Sequence, residues 1–255
     1  MEDAHARATV RERLTALGPF FAADTHAPHT RPAAPWCSMA DLLDDPRILA
    51  DRVHTARVSL AGSSGQDLEA VELRVAASVT HLGLAARLLS PLLALTVLQG
   101  RTAAVGLREL HWQPAMPSIF PLSIPASPGA DGIVTADPEA LADAFALNAV
   151  RTIAQDLHAA TRPLGVSGHV LRGNIASALA GSCAALARAL TGQRSLVQAV
   201  FSALLSHPVL ADTAQTSLDG RFQRRSCCLI YRAAPERNGM VCGDCVLLGA
   251  RRRAG

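Results

Sequence analysis

Lysine is absent from all 255 residues, so each of the 24 basic side chains is an arginine. High-GC codon usage is enough to produce that bias. Its physical consequence is a surface whose cations are planar, forked and always charged, suited to carboxylates and other anions. Aromatic residues are also scarce, with two Trp, one Tyr and six Phe. β-Branched residues are few, and Ala and Leu dominate, so the composition predicts a mainly helical chain. No Walker loop, G-x-G-x-x-G or G-x-S-x-G run occurs, which removes the motif-borne classes of nucleotide and serine-hydrolase chemistry. The nine histidines (5, 26, 29, 54, 81, 111, 158, 169 and 207) form no H-x3-H pair with a carboxylate. His26 and His29 lie in a Pro-rich stretch that reads as a solvated loop.

Long apolar runs are missing too. Met1-Glu2-Asp3 is acidic with no apolar run behind it, unlike a secretory leader. The most apolar stretch, Leu82 to Gln99, is interrupted by Arg87 and Pro91, and the remainder is too short to cross a bilayer. The expectation is a soluble, cytoplasmic protein with at most peripheral membrane contact. A chain of this length buries roughly 75% of its unfolded surface and needs no metal merely to fold. A metal centre here is therefore expected to serve function.

What is present reads as helices around a small sheet. Apolar spacing predicts a helix over residues 4–17, ended by Gly18-Pro19. Thr25 to Pro35 reads as a loop. Ser38 is expected to cap a helix from Met39 to about Leu60, with a break at Asp45-Pro46 and a turn at Gly62-Ser63-Ser64-Gly65. Leu68 to Leu98 reads as one long or two abutting helices, with Gly83 and Pro91 as kink points. Residues 103–117 and Gly132 to Thr135 suggest short strands of a small antiparallel sheet. Asp137 with Pro138 opens a helix to about Ala160, Ser167 another to about Leu190, and Ser195 a last one before Pro208. The fold class is α+β, mainly helical, ending in a Cys-rich segment.

The tail differs electrostatically from the rest. Eight arginines against Glu236 and Asp244 leave residues 221–255 at +6, and since the chain carries +3, the preceding 220 residues carry −3. The expected organisation is a helical domain over 1–220 and a cofactor-binding segment over 221–255.

Four of six cysteines fall in that segment, as Cys227-Cys228, then thirteen residues, then Cys242-Gly243-Asp244-Cys245. In a reducing compartment such a group points to metal rather than disulfides. The C-x2-C half is a common chelate, with Gly243 expected to allow a tight backbone path. The vicinal pair discriminates. Adjacent side chains in extended backbone point to opposite faces, so they chelate one small ion poorly. Structural zinc usually pairs two spaced arms, and a second such arm is lacking. A two-iron cluster spreads four thiolates over two irons and accepts the pair better. The pattern favours a 2Fe-2S cluster on Cys227, Cys228, Cys242 and Cys245, with zinc, and a thiol–disulfide switch or no metal, as the other readings. Arg224, Arg225 and Arg232 flank these ligands, and nearby cations favour the more negative reduced cluster.

At these residues the chain resembles siderophore-iron reductases of the FhuF type, marked by a C-terminal C-C-x10-C-x2-C run that binds a 2Fe-2S cluster. The spacer here is three residues longer. Leu229-Ile230-Tyr231-Arg232 and Cys242-Gly243-Asp244-Cys245 also look like the family. Upstream, Trp36-Cys37-Ser38 with Asp41-Leu42-Leu43, and Leu171-Arg172-Gly173-Asn174-Ile175-Ala176-Ser177-Ala178, look like two further family elements. Arg172 stands where a Trp is usual, and Val246 where a Pro often follows the last cysteine. The resemblance implies one-electron reduction of ferric siderophores in the cytoplasm, releasing Fe(II). It also implies an external donor, a ferredoxin or a flavin reductase, since no nucleotide fingerprint is present. A second reading is an electron-transfer or redox-sensing protein with no siderophore substrate. Nucleic acid is not expected as a partner, because the Arg tail lacks interleaved aromatics beyond Phe222 and Tyr231. Of the remaining candidates, Cys183 reads as core packing and Trp112 as a core aromatic. Cys37 follows Trp36 at a helix start, and Asn174 reads as a tight helix contact.

Overall fold

The computed structural model describes residues 9–102, 104–114, 119–126, 134–216, 221–235 and 241–247. Helix α1 (Val10–Ala16) opens with a capping box in which Thr9 and Glu12 satisfy each other's backbone N–H groups. Its expected first turns lie outside the described residues. Helix α2 (Asp41–Asp44) is a single turn, and α3 (Pro46–Ser64) follows at once. Here the expected cap moves. Ser38 lies in a strand, and Asp45 caps α3 by accepting from the Arg47 N–H, with Pro46 at the first helical position. The Asp45-Pro46 break is thus a helix start. Residues 62–64 stay helical, and Gly65 ends α3 at φ 63°, in the left-handed conformation that suits glycine.

Helix α4 (Leu73–Gln99) runs unbroken through Gly83 and Pro91 and is the central helix of the fold. It packs on α3, on α6 (Arg151–Thr161) and most extensively on α7 (Gly168–Ala189). The expectation that Arg87 breaks this run is corrected by its geometry. Its three guanidinium nitrogens donate to the carbonyls of Phe120 (3.0 Å), Phe20 (3.0 Å) and Ala22 (2.7 Å), so the charge is solvated by backbone. Burial still pushes the Arg87 pKa down to about 10. By length and composition alone α4 and α7 could each span a bilayer, but 78% and 61% of their apolar windows are buried within the fold. Helix α5 (Pro138–Phe145), capped by Asp137, continues through a π turn (Ala146–Val150) into α6, and packs against α8 (Arg194–Ser206).

The expected sheet exists, but it is mixed rather than antiparallel. Strands β1 (Asp24–His26), β2 (Cys37–Ser38), β3 (His111–Trp112) and β4 (Leu122–Pro125) stand in the order β1-β4-β3-β2, with β1 and β4 parallel. Strand β1 comes from the stretch read as a loop, because two- to four-residue strands carry too few alternations to register as a pattern. Of the expected strand at 132–135, residues 132 and 133 lie outside the described residues, and Thr135 instead donates its N–H to the Gly100 carbonyl at 2.8 Å. Trp112 is buried in the core, donating to the Ser38 carbonyl at 3.1 Å, with the Arg52 guanidinium 4.8 Å over its ring. A hairpin, β5 (Ala214–Thr216) and β6 (Phe222–Arg224), then carries the chain into the cysteine segment.

Candidate metal centre

The vicinal cysteines follow β6 directly, and the backbone there solves the problem of neighbouring side chains. Leu229 adopts φ 72°, a left-handed conformation uncommon for a branched apolar residue. That turn lets the Leu229 N–H donate to Cys227 Sγ at 3.3 Å. Cys227 remains half-exposed while Cys228 is buried. The other half is built the same way. A tight turn brings the Cys245 N–H to the Cys242 carbonyl at 3.1 Å, and the Leu247 N–H donates to Cys245 Sγ at 3.4 Å. Cys245 is buried and Cys242 half-exposed. Gly243, expected to be required for a tight path, has open space where a Cβ would sit and no positive φ. The unusual conformation is at Leu229 instead.

The two halves meet at sulfur. Cys228 Sγ and Cys242 Sγ are 3.5 Å apart. Hydrogen bonds from Cys227 and Cys242 hold the Cys228 thiol below its ordinary range and push those two donors up. The group thus stabilises a shared thiolate, which is the form that binds metal. Among the described residues no three His, Cys, Asp or Glu side chains converge on a point fit for one metal ion. Four thiols in two pairs, two buried and two half-buried, with N–H groups donating to Cys227 and Cys245, fit a wider centre such as a two-iron cluster.

Two helices of the helical body hold this segment. Arg232, in a 3-10 turn (Ile230–Ala233), grips Glu72 at the start of α4 through Nε (2.9 Å) and Nη2 (2.6 Å). The carboxyl of Glu72 is held below its ordinary range, first by that hydrogen bond from Arg232. On α4, Ser78 donates to the Cys228 carbonyl at 2.8 Å. On α7, Asn174 donates to the Ser78 carbonyl and hydroxyl at 3.0 and 3.1 Å and accepts from Arg224. A Cβ on the neighbouring Gly173 would come 1.9 Å from Ser226 Oγ, so only glycine lets α7 approach the residue before the cysteine pair. The Arg224 N–H and Gln223 side chain reach the Asp244 and Cys245 carbonyls, both at 3.1 Å, joining β6 to the C-x2-C turn.

The other singled-out residues lie elsewhere. Cys183 is buried on α7, where desolvation pushes its pKa up to about 12, so it stays a protonated core thiol. Cys37 sits in β2, not at a helix start. His26 bonds Ser123 Oγ at 2.8 Å and meets the His111 ring edge-on at 4.8 Å. Reasoning from sequence missed Ser78 and Glu72, which have no motif around them. It also missed the partnership of Asn174 with Arg224, fifty residues apart.

Residues 224–247 match the family model of the FhuF 2Fe-2S C-terminal domain. The matched stretch contains all four clustered cysteines, and the two upstream look-alike elements fall outside it. None of the curated proteins compared matches the chain. The C-terminal segment accordingly takes a 2Fe-2S cofactor.

Proposed function

Because the chain carries the C-terminal domain of FhuF-type proteins, we propose that it reduces ferric siderophores in the cytoplasm by one electron, with release of Fe(II). Cys227, Cys228, Cys242 and Cys245 are its cluster ligands in this reading. In the same reading residues 1–220 are the helical domain and residues 221–255 the cluster-binding segment. The observation that carries the proposal is the placement of the thiols. Cys228 and Cys245 are buried, while Cys227 and Cys242 are partly exposed, where a large chelate can approach without entering the core.

The bound cluster supplies single electrons, and the chain's own groups do the rest. The N–H groups of Leu229 and Leu247 disperse charge on sulfur. Arg232 and Glu72 pin the segment to α4. The substrate is Fe(III) held by hard anionic oxygens. One added electron makes Fe(II), which those ligands hold far less tightly, so no acid–base pair is required at the iron. The all-arginine +6 tail suits an anionic chelate or an acidic ferredoxin donor. The test is anaerobic mixing of dithionite-reduced, desalted protein with ferric hydroxamate and ferric catecholate chelates beside an Fe(II)-trapping dye. Stoichiometric dye colour matched by reoxidation of the visible spectrum supports the proposal. A reduced cluster that survives every chelate sinks it and leaves an electron carrier or redox sensor.

A further inference from the structure

Three arginines flank the cysteines, and the structure separates them. Arg225 is exposed and faces Asp212 at 3.5 Å. Arg232 is neutralised by Glu72. Arg224 is wholly buried. One of its nitrogens, Nη2, donates to Asn174 Oδ1 and lies 3.5 Å from Ser226 Oγ. Its Nε and Nη1 have no hydrogen-bond partner among the described residues, and no carboxylate there pairs with it. Arg87 shows what a finished buried arginine looks like, with Nε, Nη1 and Nη2 each on a carbonyl. A buried cation left half-solvated is costly unless an anion sits beside it.

The groups around Arg224 are neutral. Asn174, Ser226 and Ser78 carry no charge, and His81, whose two ring nitrogens are buried without partners, is held neutral with a pKa near 3. Its burial dominates, with His158 and Arg224 adding to it. Both cysteine turns adjoin Arg224: it stands three residues before Cys227, its Nη2 is 3.5 Å from the hydroxyl of Ser226 beside the cysteine pair, and its backbone N–H donates to the Asp244 carbonyl inside the C-x2-C turn at 3.1 Å. We infer that Arg224 is the internal counter-ion of the 2Fe-2S cluster and the positioning residue that sets its reduction potential, with Asn174 and Gly173 on α7 holding the guanidinium in place. The reduced cluster carries one more negative charge than the oxidised one, so a fixed adjacent cation favours reduction.

The inference rests on ligation of the cluster by the four cysteines but not on the siderophore. The experiment is an anaerobic spectroelectrochemical titration of loaded wild type, Arg224→Gln, Arg224→Lys and Arg225→Gln. Arg224→Gln is expected to shift the reduction equilibrium at least tenfold toward the oxidised form, about 59 mV to more negative potential for one electron. Arg224→Lys should recover most of that shift, and Arg225→Gln should stay within twofold of wild type. Should Arg224→Gln not assemble a cluster, Asn174→Asp gives the guanidinium a carboxylate in place of the amide oxygen it already meets. That variant should also move the potential negative, and an unchanged or more positive value overturns the inference. So does a loaded Arg224→Gln protein within twofold of wild type. A wild type without a cluster spectrum would instead overturn the ligand assignment.

Discussion

Two buried arginines divide this molecule into a finished region and an unfinished one. Arg87 ties α4 to the segments before β4 and before β1, with Nε, Nη1 and Nη2 each on a backbone carbonyl. Arg224 ties β6 to α7 with one guanidinium nitrogen bonded and, among the described residues, two left over. The first is closed by the chain itself and belongs to folding. The second is left open by the chain and belongs to whatever the cysteines hold. A buried cation that lacks partners is costly, and a neighbouring anion lowers that cost.

The comparison can be broken in order of expected effect. Gly173→Ala should be the most damaging single change, since its Cβ meets Ser226 Oγ at 1.9 Å and Arg224 Nη2 at 3.2 Å. Loss of most bound iron with retained helical circular dichroism is expected, and full iron content would show that α7 does not hold the segment. Arg87→Met should destabilise by about 3 kcal/mol, because it strands buried carbonyls, yet leave the cluster potential unmoved. Denaturant unfolding and redox titration together check both halves. Glu72→Gln releases Arg232, a partly solvated pair, and should cost about 0.5–1 kcal/mol. Glu72 is depressed in the folded state, so its contribution is complete above its ordinary value of 4.5 and fades as pH falls below that through the lowered value. Wild type should therefore lose stability to Glu72→Gln only above that window. Gly181→Ala on the same helix as Gly173 meets nothing within 4 Å and should stabilise by about 0.5–1 kcal/mol. A loss there would mean that glycine on α7 matters for flexibility rather than for one contact.

The contrast also explains how far the sequence could be read. Helices α5 to α8 announce themselves through caps such as Asp137-Pro138 and Ser167 and through apolar spacing, and so does the cysteine quartet, whose meaning lies in spacing alone. Strand β1 and the parallel pairing were hidden, because three residues carry no periodicity and the partner strand lies about a hundred residues away. Arg87 read as an interruption because its carbonyl partners come from other elements. Gly243 drew attention for its type, while the left-handed residue is Leu229, a choice fixed by the packing of the cysteine turn on α4.

The most direct test of the central claim is electron paramagnetic resonance with iron and sulfide analysis on anaerobically purified protein. Wild type, Cys183→Ala and single alanine variants of Cys227, Cys228, Cys242 and Cys245 would be compared before and after dithionite. Two-iron stoichiometry with a reduced-state signal in wild type and Cys183→Ala, lost or altered in each of the four others, is the expected result. Stoichiometric zinc with no signal, or an unchanged signal in any of the four, would contradict the account.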